Sequence, residues 1–311
     1  MERLTSDQPL PAHLRGSILA LGNFDGFHLG HQAVVNRAIQ RGFHERRRVI
    51  VATFDPHPVR FFKPDLPHFY LTTLDQRERL FAHAGADAML VFRFDAELAS
   101  TAAEDFINGI LAEQLGVAGV VTGADFTFGR GRGGNVELLR ELGRNHDIIA
   151  ETVSPVMLDG APVSSSRIRH ALSAGEPTTA MHLLTRPFAV EGIVEHGDAR
   201  GRILGYPTAN VRLAQYQRPQ YGIYAVRVRI EGDEQDHPGV ANFGIRPMFE
   251  PPRELLEAHL FDFDGDLYDR RIEVDLIAFL RREAKFDGID RLIQQIRFDE
   301  AEARRLLLLL A

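Results

Sequence analysis

The chain has 311 residues, of which 44% are hydrophobic and 25% are charged. This composition is typical of a globular protein, and the length suits two domains of ordinary size. The net charge of -7 gives no reason to expect nucleic acid or an anionic lipid surface as a partner. The chain has no cysteine, which excludes disulfides, thiolate metal sites and thiol nucleophiles and is compatible with a reducing cytoplasm.

Neither end of the chain indicates export or a membrane anchor. Residues 1–15 are polar and include Pro9 and Pro11, unlike the basic-then-apolar pattern of a signal peptide. The apolar run at residues 306–311 is far shorter than the roughly 20 residues that span a bilayer. We therefore expect a cytoplasmic protein that acts on small molecules without a membrane partner; its oligomeric state stays open.

The first half of the chain alternates buried-strand runs with helical segments. This alternation predicts an α/β, Rossmann-like doubly wound domain, with a parallel sheet covered by helices on both faces. Predicted strands lie at residues 17–21, 48–54, 88–94, 117–122 and 148–153. Predicted helices include residues 31–41 and 102–115, the second opened by a capping box of Thr101 and Glu104.

The second half has short β-rich runs separated by glycine, proline and aspartate turns. These runs, at residues 188–194, 224–230, 259–263 and 271–279, predict a small antiparallel β-barrel. An amphipathic stretch at residues 289–308 predicts a terminal helix that closes it. We predict two domains, residues 1–184 and 185–311.

The first predicted strand runs into a glycine-punctuated turn that leads into a helix. Such a turn offers free backbone N–H groups and the positive end of the helix dipole to a phosphate. Gly30 allows close backbone approach, while His28 and His31 can donate hydrogen bonds to a triphosphate as charge builds on it. A His-x-Gly-His match also arises by chance, so its position at the turn where doubly wound folds bind ligands decides the interpretation. The remaining predicted nucleotide-site residues of this turn are Gly22, Asn23, Phe24 and Asp25.

Three later segments are predicted to converge on the same edge of the sheet. They are residues 53–58, residues 123–130 with Asp125 and Phe128, and residues 163–169 with Ser164, Ser165, Ser166, Arg167 and Arg169. The prolines around His57 are also consistent with a merely stiff loop, and serines at a helix start are most often plain caps. Arginines just inside a helix N-terminus oppose the helix dipole, however, which favours a bound anion that compensates them.

Together these segments resemble the adenylyltransferase half of the bacterial bifunctional riboflavin kinase/FAD synthetases. The run His28-Leu29-Gly30-His31 resembles the family's HxGH signature, and Ser164-Ser165-Ser166-x-x-Arg169 resembles its SSTxxR loop, with Ser166 in place of threonine. The resemblance implies that the phosphate of FMN attacks the α-phosphorus of ATP, giving FAD and pyrophosphate. It also implies that Asn23, His28, His31 and Arg169 hold the ATP phosphates, with Asp125 near the ribose or the reacting phosphates.

Aromatic side chains near these loops offer a surface on which a flat isoalloxazine ring can stack. For any one of them, ordinary core packing remains the more common role. The candidates are Phe54, Phe61, Phe62, Phe126 and Phe128.

A second constellation begins in the predicted barrel. Glycines and arginines share one loop there, with Gly197, Gly201 and Arg202 as candidate phosphate-facing residues. Without further context the loop is equally consistent with a flexible basic segment. Thr208 and Asn210 follow it and present oxygen atoms two residues apart, a donor type suited to Mg²⁺ carried by ATP phosphates.

This stretch resembles the riboflavin kinase family, whose PTAN motif is present unaltered as Pro207-Thr208-Ala209-Asn210. The resemblance implies that Thr208 and Asn210 bind Mg²⁺-ATP and that Glu257 is the general base for the riboflavin 5′-hydroxyl. The alternative for Glu257 is an exposed or ion-paired strand glutamate. Met248 replaces the family's usual threonine, which removes a hydroxyl near the implied flavin site.

The sequence as a whole predicts a bifunctional enzyme that makes FMN from riboflavin and ATP, and FAD from FMN and a second ATP, with Mg²⁺ in both steps. One alternative is an HxGH nucleotidyltransferase with a different phosphorylated acceptor, against which the PTAN motif argues. Another is a catalytically inactive flavin-binding sensor, which would have lost catalytic positions that are present here.

Overall fold

The computed structural model describes residues 1–196, 205–246 and 253–309. These residues form two compact units. The first unit comprises Met1–Pro67 and Thr72–Ser164, and the second comprises His68–Leu71 and the chain from Ser165 onward. Among the described residues, no helix combines the length and the hydropathy of a membrane span.

A six-stranded parallel sheet forms the centre of the first unit, with the strand order β1-β4-β3-β2-β5-β6. The strands are β1 (Glu2–Thr5), β2 (Ile18–Leu21), β3 (Val49–Asp55), β4 (Ala88–Arg93), β5 (Gly119–Gly123) and β6 (Ile149–Val153). All four residues of β2 are buried, as expected for a central strand covered on both faces.

Helices cover both faces of this sheet. The two faces hold separate apolar clusters, which confirms the doubly wound α/β prediction. The helices are α1 (Leu29–Glu45), α2 (Pro58–Phe62), α3 (Leu74–Ala84), α4 (Ala96–Ser100), α5 (Ala103–Asp105, continued by a π-helix over Phe106–Leu115) and α6 (Val136–Gly143), with short 3₁₀ turns at Ala12–Leu14, Arg130–Arg132 and Arg144–His146. A short hairpin, β7 (Met157–Leu158) and β8 (Ala161–Pro162), follows β6.

The position of β2 in the sheet determines where its edge can leave a crevice. From β2 the chain builds outward through β3 and β4 and then continues with β5 on the other side of β2. The carboxyl end of β2 is therefore a topological switch point, where doubly wound sheets leave a crevice.

The predicted capping box at Thr101 is wrong. Asp95 caps the short helix α4 by accepting a hydrogen bond from the Leu98 amide, and Thr101 ends that helix. The Thr101 hydroxyl donates to the Glu97 carbonyl at 2.9 Å. Because this hydroxyl is engaged with the preceding helix, it cannot cap the next one, which begins after Ala102 without a side-chain cap.

A six-stranded antiparallel sheet forms the core of the second unit, in the order β10-β13-β12-β11-β14-β9. The strands are β9 (Phe188–Ile193), β10 (Ala209–Val211), β11 (Gly222–Ile230), β12 (Asp236–Arg246), β13 (Arg253–Leu260) and β14 (Arg271–Arg281). The amide of Glu195, just after β9, donates to the carbonyl of Asn210 in β10 at 2.9 Å. This bridge between the two edges closes the sheet, so the predicted antiparallel barrel is confirmed.

The strand predicted at residues 259–263 is misplaced, because β13 ends at Leu260. The backbone turns immediately afterwards: Phe261 donates its amide to the Pro238 carbonyl, and Asp262 adopts a left-handed φ of 54°. Alternation alone does not reveal this turn, because Phe261 and Phe263 continue the apolar pattern.

Helices α7 (Ser165–Ser173), α8 (Pro177–Leu184) and α9 (Ile289–Leu309) belong to the second unit. Ala303 and Leu307 of α9 pack in a cluster with Ala225 and Ile277 of the barrel, as the terminal-helix prediction requires. Residues 68–71 join the same unit through paired backbone hydrogen bonds of Tyr70 with Gln215 and Gln217.

Gly222 lies where two neighbouring barrel strands approach each other too closely for a side chain. Its φ is +152°, and a Cβ there would overlap the Arg281 carbonyl oxygen of the neighbouring strand. We expect Gly222→Ala to lower the free energy of unfolding by about 2 to 4 kcal/mol, from strain and overpacking together. Urea unfolding measures the change. Gly232→Ala is the matched control, since Gly232 also has a positive φ, +83°, but open space around it; an equal or larger loss there would contradict the packing explanation.

Candidate active sites

His28 and His31 lie together at the start of α1, directly after the β2 turn. His28 is the N-cap, and its Nδ1 accepts a hydrogen bond from the His31 amide at 3.3 Å. The two imidazole rings stack with centroids 3.6 Å apart. Because Nδ1 of His28 is the acceptor, the proton of the neutral ring is on Nε2, which is therefore a donor.

Gly30 packs closely against the His28 ring. A Cβ at Gly30 would lie 3.2 Å from Cε1 of His28 and 3.5 Å from the Val163 carbonyl oxygen. The helix start is therefore packed between the His28 ring and the backbone that leads to Ser164. A Cβ at position 30 would therefore press on the His28 ring, which would have to shift by a few tenths of an ångström, whereas its contact with the Val163 carbonyl would be ordinary.

Other residues of the β2 turn are directed into the fold. Phe24 is 2% exposed, and its ring lies edge-on to His31 with centroids 5.3 Å apart. Asp25 is 1% exposed, and its carboxylate accepts hydrogen bonds from the amide and hydroxyl of Thr72. Asn23 has a buried Oδ1 without a hydrogen-bond partner among the described residues. The amide of Gly22 donates to the Ala52 carbonyl of β3.

The loops after β3 and β5 supply polar and aromatic groups at the same edge of the sheet. Burial raises the pKa of the Asp55 carboxyl, and the Arg77 guanidinium opposes this shift. His57 caps α2 through its Nδ1, which supports the stiff-loop interpretation. Asp125 is exposed, with its carboxylate close to Gly123.

An aromatic cluster follows β3 and β4. Phe61 and Phe62 contact Phe94 with ring centroids 5.4 and 5.8 Å apart, and Phe62 is 64% exposed. Phe128, in contrast, is 7% exposed and packs beneath the partly exposed Phe126 at a centroid distance of 5.8 Å.

The serine and arginine segment is divided between the two units, with Ser164 in the first. Helix α7 begins at Ser165 in the second unit and carries Ser166, Arg167 and Arg169 in its first turns. The Nε of Arg169 donates to the Phe69 carbonyl at 2.8 Å, and the guanidinium lies 5.0 Å from the centre of the Phe69 ring. Phe69 thus fixes the orientation of the Arg169 side chain relative to α7.

In the second unit, the strand register places five side chains in one row across the barrel. Residues directly opposite each other on antiparallel strands project to the same face. The row runs through the cross-strand pairs Asn210–Glu257, Glu257–Asn242, Asn242–Ile223 and Ile223–Arg281. The predicted Mg²⁺ ligand Asn210, which is buried, is therefore adjacent to the predicted base Glu257.

Four of the five residues in this row line a cavity of about 630 Å³, the exception being Asn210. Its polar wall includes Thr208, Asn242 and Glu257, and the Oδ1 of Asn242 is buried with no hydrogen-bond partner among the described residues. The ring of His259 holds the PTAN segment in place, because its Nδ1–H donates to the Pro207 carbonyl at 2.8 Å.

The opposite wall is apolar and comes from α9. Ile289, Leu292 and Ile296 follow helical spacing and line the cavity. At the same wall, Arg281 of β14 forms a bidentate ion pair with Asp299 of α9, at 2.9 Å from Nε and 2.6 Å from Nη2. This pair connects the helix to the barrel at the cavity.

The structure does not describe four of the residues singled out in the sequence. Gly197, Gly201, Arg202 and Met248 lie outside the described residues.

Comparison with known proteins identifies both halves of the chain. The FAD synthetase family matches residues 10–167, and the riboflavin kinase family matches residues 184–307. The bifunctional riboflavin kinase/FMN adenylyltransferase of Escherichia coli (strain K12) is 39% identical over 289 residues, covering 93% of this chain and 92% of the relative. The protein of the same name from Pseudomonas fluorescens is 40% identical, covering 95% and 94%.

The chain belongs to the bifunctional riboflavin kinase/FMN adenylyltransferase family. It is a two-domain enzyme with the FAD synthetase half first and the riboflavin kinase half second, so the predicted function is confirmed. The substrates that follow from these activities are riboflavin, FMN and ATP. A solved Streptococcus pneumoniae chain described as a macrolide-efflux protein shares the fold, with a TM-score of 0.87, 29% identity and coverage of 98% of this chain and 99% of that one.

Several site residues were not predicted from the sequence. Thr72 and Arg77 contact the β2 turn from more than 40 positions away along the chain and belong to no recognisable local motif. Asn242 lies in β12, and only the strand register puts it beside Glu257. Arg281 and Asp299 approach each other only when α9 packs on the barrel.

The Arg281–Asp299 pair should make a large contribution to stability. Asp299 is 6% and Arg281 23% exposed, so Asp299→Ala leaves a largely buried guanidinium without its carboxylate. We expect a fall of about 3 kcal/mol in the free energy of unfolding, measured by urea denaturation. Glu302→Ala removes an exposed pair with Arg305 on the same helix and should have no measurable effect. Equal effects of the two variants would contradict the assignment.

Proposed function

We propose that the two activities use separate sites: FMN is adenylylated at the β2–α1 turn, and riboflavin is phosphorylated in the barrel cavity. The stacked His28 and His31 rings at a helix N-terminus support the first assignment. The row that places Asn210 and Asn242 on either side of Glu257 at the cavity supports the second, and is the observation that most strongly favours the division.

In the adenylylation step, a phosphate oxygen of FMN attacks the α-phosphorus of ATP, and pyrophosphate leaves. Negative charge builds on the phosphate oxygens, and the Nε2–H of His28, His31, the amide of Asn23 and the α1 N-terminus are donors for it. Arg169 contributes positive charge, and Ser164, Ser165, Ser166 and Arg167 complete the phosphate contacts. Gly22, Phe24, Asp25 and Gly30 shape the turn, with Asp125 near the ribose.

For the flavin of FMN we propose the aromatic cluster at the ends of β3 and β4. The exposed ring of Phe62 and the partly exposed rings of Phe61 and Phe126 can stack on an isoalloxazine. Phe128 would support Phe126 from the core side.

In the kinase step, the 5′-hydroxyl oxygen of riboflavin attacks the γ-phosphorus of ATP as Glu257 accepts the hydroxyl proton and ADP leaves. The cavity matches riboflavin, since its α9 wall is apolar and its opposite wall carries the polar groups near Glu257. The isoalloxazine would lie against Leu292 and Ile296, and the ribityl chain toward Glu257.

Mg²⁺ fits the kinase site as part of the Mg²⁺-ATP substrate. Thr208 and Asn210 offer oxygen donors of the kind Mg²⁺ prefers. The described residues contain no cluster of three or more His, Cys, Asp and Glu side chains able to hold a metal, so the ATP phosphates would provide most of its ligands. When bound, Mg²⁺ would neutralise charge on the transferring phosphoryl group.

We place the boundary between the two functional halves at residues 184/185. The riboflavin kinase family match begins at residue 184 and the FAD synthetase match ends at residue 167. Helix α8 and most of α7, which carries Arg169, follow the end of the first match, and we assign both to the first half because Arg169 is proposed to act in the first reaction. We expect the enzyme to act in the cytoplasm, where ATP is available for both steps.

The division of labour is tested by paired substitutions. We expect His28→Ala to lower FAD formation from FMN about 100-fold or more, with riboflavin phosphorylation unchanged. Glu257→Gln should lower riboflavin phosphorylation by about 100- to 10,000-fold, with FAD formation from supplied FMN unchanged. Chromatography of FMN and FAD, with ADP and pyrophosphate assays, measures both reactions on each variant.

Matched controls are His146→Ala and Glu302→Gln, both at exposed positions away from the two sites. Both should retain both activities. If either site variant abolished both reactions in a folded protein, the division would be wrong. A wild-type enzyme that adenylylated another phosphorylated acceptor but not FMN would favour the alternative nucleotidyltransferase.

Filling the barrel cavity tests where riboflavin binds. Leu292→Trp adds bulk to the apolar wall, so we expect the KM for riboflavin to rise at least about tenfold, equivalent to 1.4 kcal/mol of binding. FAD formation from FMN should not change. Leu308→Trp is the control, because Leu308 is on the same helix but 80% exposed. An unchanged riboflavin KM in Leu292→Trp would exclude this cavity as the flavin site.

A further inference from the structure

We propose that Arg77 is a positioning residue for FMN adenylylation, holding the β2 turn in the geometry that receives the ATP phosphates. This inference rests on the proposed function of that turn. Arg77 is in the first turns of α3, 49 positions after His28, and is 1% exposed. No motif of the sequence includes it.

The Arg77 guanidinium contacts the turn at two points. Its Nη1 donates to the Asn23 carbonyl at 3.4 Å and to the Thr53 hydroxyl at 3.0 Å. The Thr53 hydroxyl in turn donates to the same Asn23 carbonyl at 2.6 Å. Its Nη2 lies 3.6 Å from the buried Asp25 carboxylate. One planar cation therefore neutralises Asp25 and fixes the backbone at Asn23.

Thr72 connects Arg77 to the Gly26 amide of the turn. Its hydroxyl accepts hydrogen bonds from the Gly26 amide at 2.9 Å and from Nε of Arg77 at 3.2 Å, and it donates to Asp25 at 3.2 Å. A hydroxyl has one donor and two acceptor positions, so Thr72 is fully used. Arg77 also donates to the Thr72 carbonyl at 3.3 Å, which keeps Thr72 in place.

The turn needs this external support because its backbone is strained. Phe24 and Phe27 have left-handed φ values of 49° and 43°, and Gly26 has a φ of 89°. A non-glycine residue in this region persists only where surrounding contacts over-determine it. The Arg77 network contacts residue 23, directly before the strained segment, and residues 25 and 26, which lie between Phe24 and Phe27. His28 follows immediately after this segment.

Loss of the Arg77 guanidinium should therefore make the hydrogen-bond donors that are proposed to bind the ATP phosphates more mobile. Lysine keeps the positive charge but cannot reach the Asn23 carbonyl, Thr53 and Thr72 together. Misplacement of catalytic groups by about 1 Å can cost on the order of 100-fold in rate. This substitution leaves in place every chemical group that is proposed to contact ATP. A change in FAD formation would therefore report on the positions of those groups.

The test compares Arg77→Lys and Thr72→Val with Arg41→Lys. Arg41 is a matched control, because it is also buried, at 5% exposure, and hydrogen-bonded, but to Glu45 and the Ile149 carbonyl. For Arg77→Lys and Thr72→Val we expect the KM for ATP in FAD formation to rise about tenfold or more. We expect Arg41→Lys to keep the wild-type KM, and all three variants to keep wild-type riboflavin phosphorylation.

KM is the decisive kinetic readout, since it does not depend on the concentration of active enzyme. A purely structural role would lower the maximal rate through loss of folded protein and leave KM unchanged, which would overturn the proposal. The double variant Arg77→Lys/Thr72→Val should raise KM less than the product of the single effects, because both substitutions disrupt one network. Fully multiplicative effects would contradict the shared network.

Hydrogen exchange separates this inference from the proposed function. Amides of residues 22–31 should exchange at least about fivefold faster in Arg77→Lys than in Arg41→Lys, because the turn opens more often. If the wild-type enzyme forms no FAD, the proposed site is wrong, yet the exchange comparison still decides whether Arg77 holds the turn. Equal exchange in the two variants would overturn the inference.

Discussion

The parallel hydrogen-bond ladder of the first sheet is the constraint on which the proposed adenylylation site depends. Because all six strands run in one direction, the chain must leave every strand at the same edge. The β2 turn and the loops after β3 and β5 are therefore neighbours, although they are distant in sequence. Helix α1 begins at that edge, so its free N–H groups and dipole are directed where the histidines are. The aromatic cluster after β3 and β4 lies at the same edge for the same reason.

In the barrel, the register of strand pairing, rather than a common strand direction, brings side chains from distant parts of the sequence together. Cross-strand pairing places a short row of side chains from five strands on one face, and α9 covers the cavity that four of them line. A shift of one residue in any of these ladders would turn that strand's member of the row to the other face. The closing bridge between Glu195 and Asn210 therefore helps to fix the position of the PTAN segment relative to Glu257.

Buried charge is used differently in the two units. In the first, Arg77 and Asp25 are both about 1% exposed and hold a strained turn from within, where any unpaired partner would be costly. In the second, Arg281 and Asp299 join a helix to a strand beside the barrel cavity. Both pairs link segments far apart in the chain, so each contributes to the specificity of the fold as well as to its stability.

Local signals in the sequence, namely periodicity, turn residues and short motifs, were enough to predict the fold class and the order of the two enzyme halves. They also supplied the motif residues from which both sites are proposed. Two predictions from local signals were wrong. The Thr101 hydroxyl bonds to the preceding helix instead of capping the next one. At residues 261–263, a turn interrupts an alternating apolar pattern. Only the folded chain brings Arg77 and Thr72 to the β2 turn, Asn242 beside Glu257 and Arg281 to Asp299. These contacts arise from strand order, register and helix packing, which no short stretch of sequence encodes.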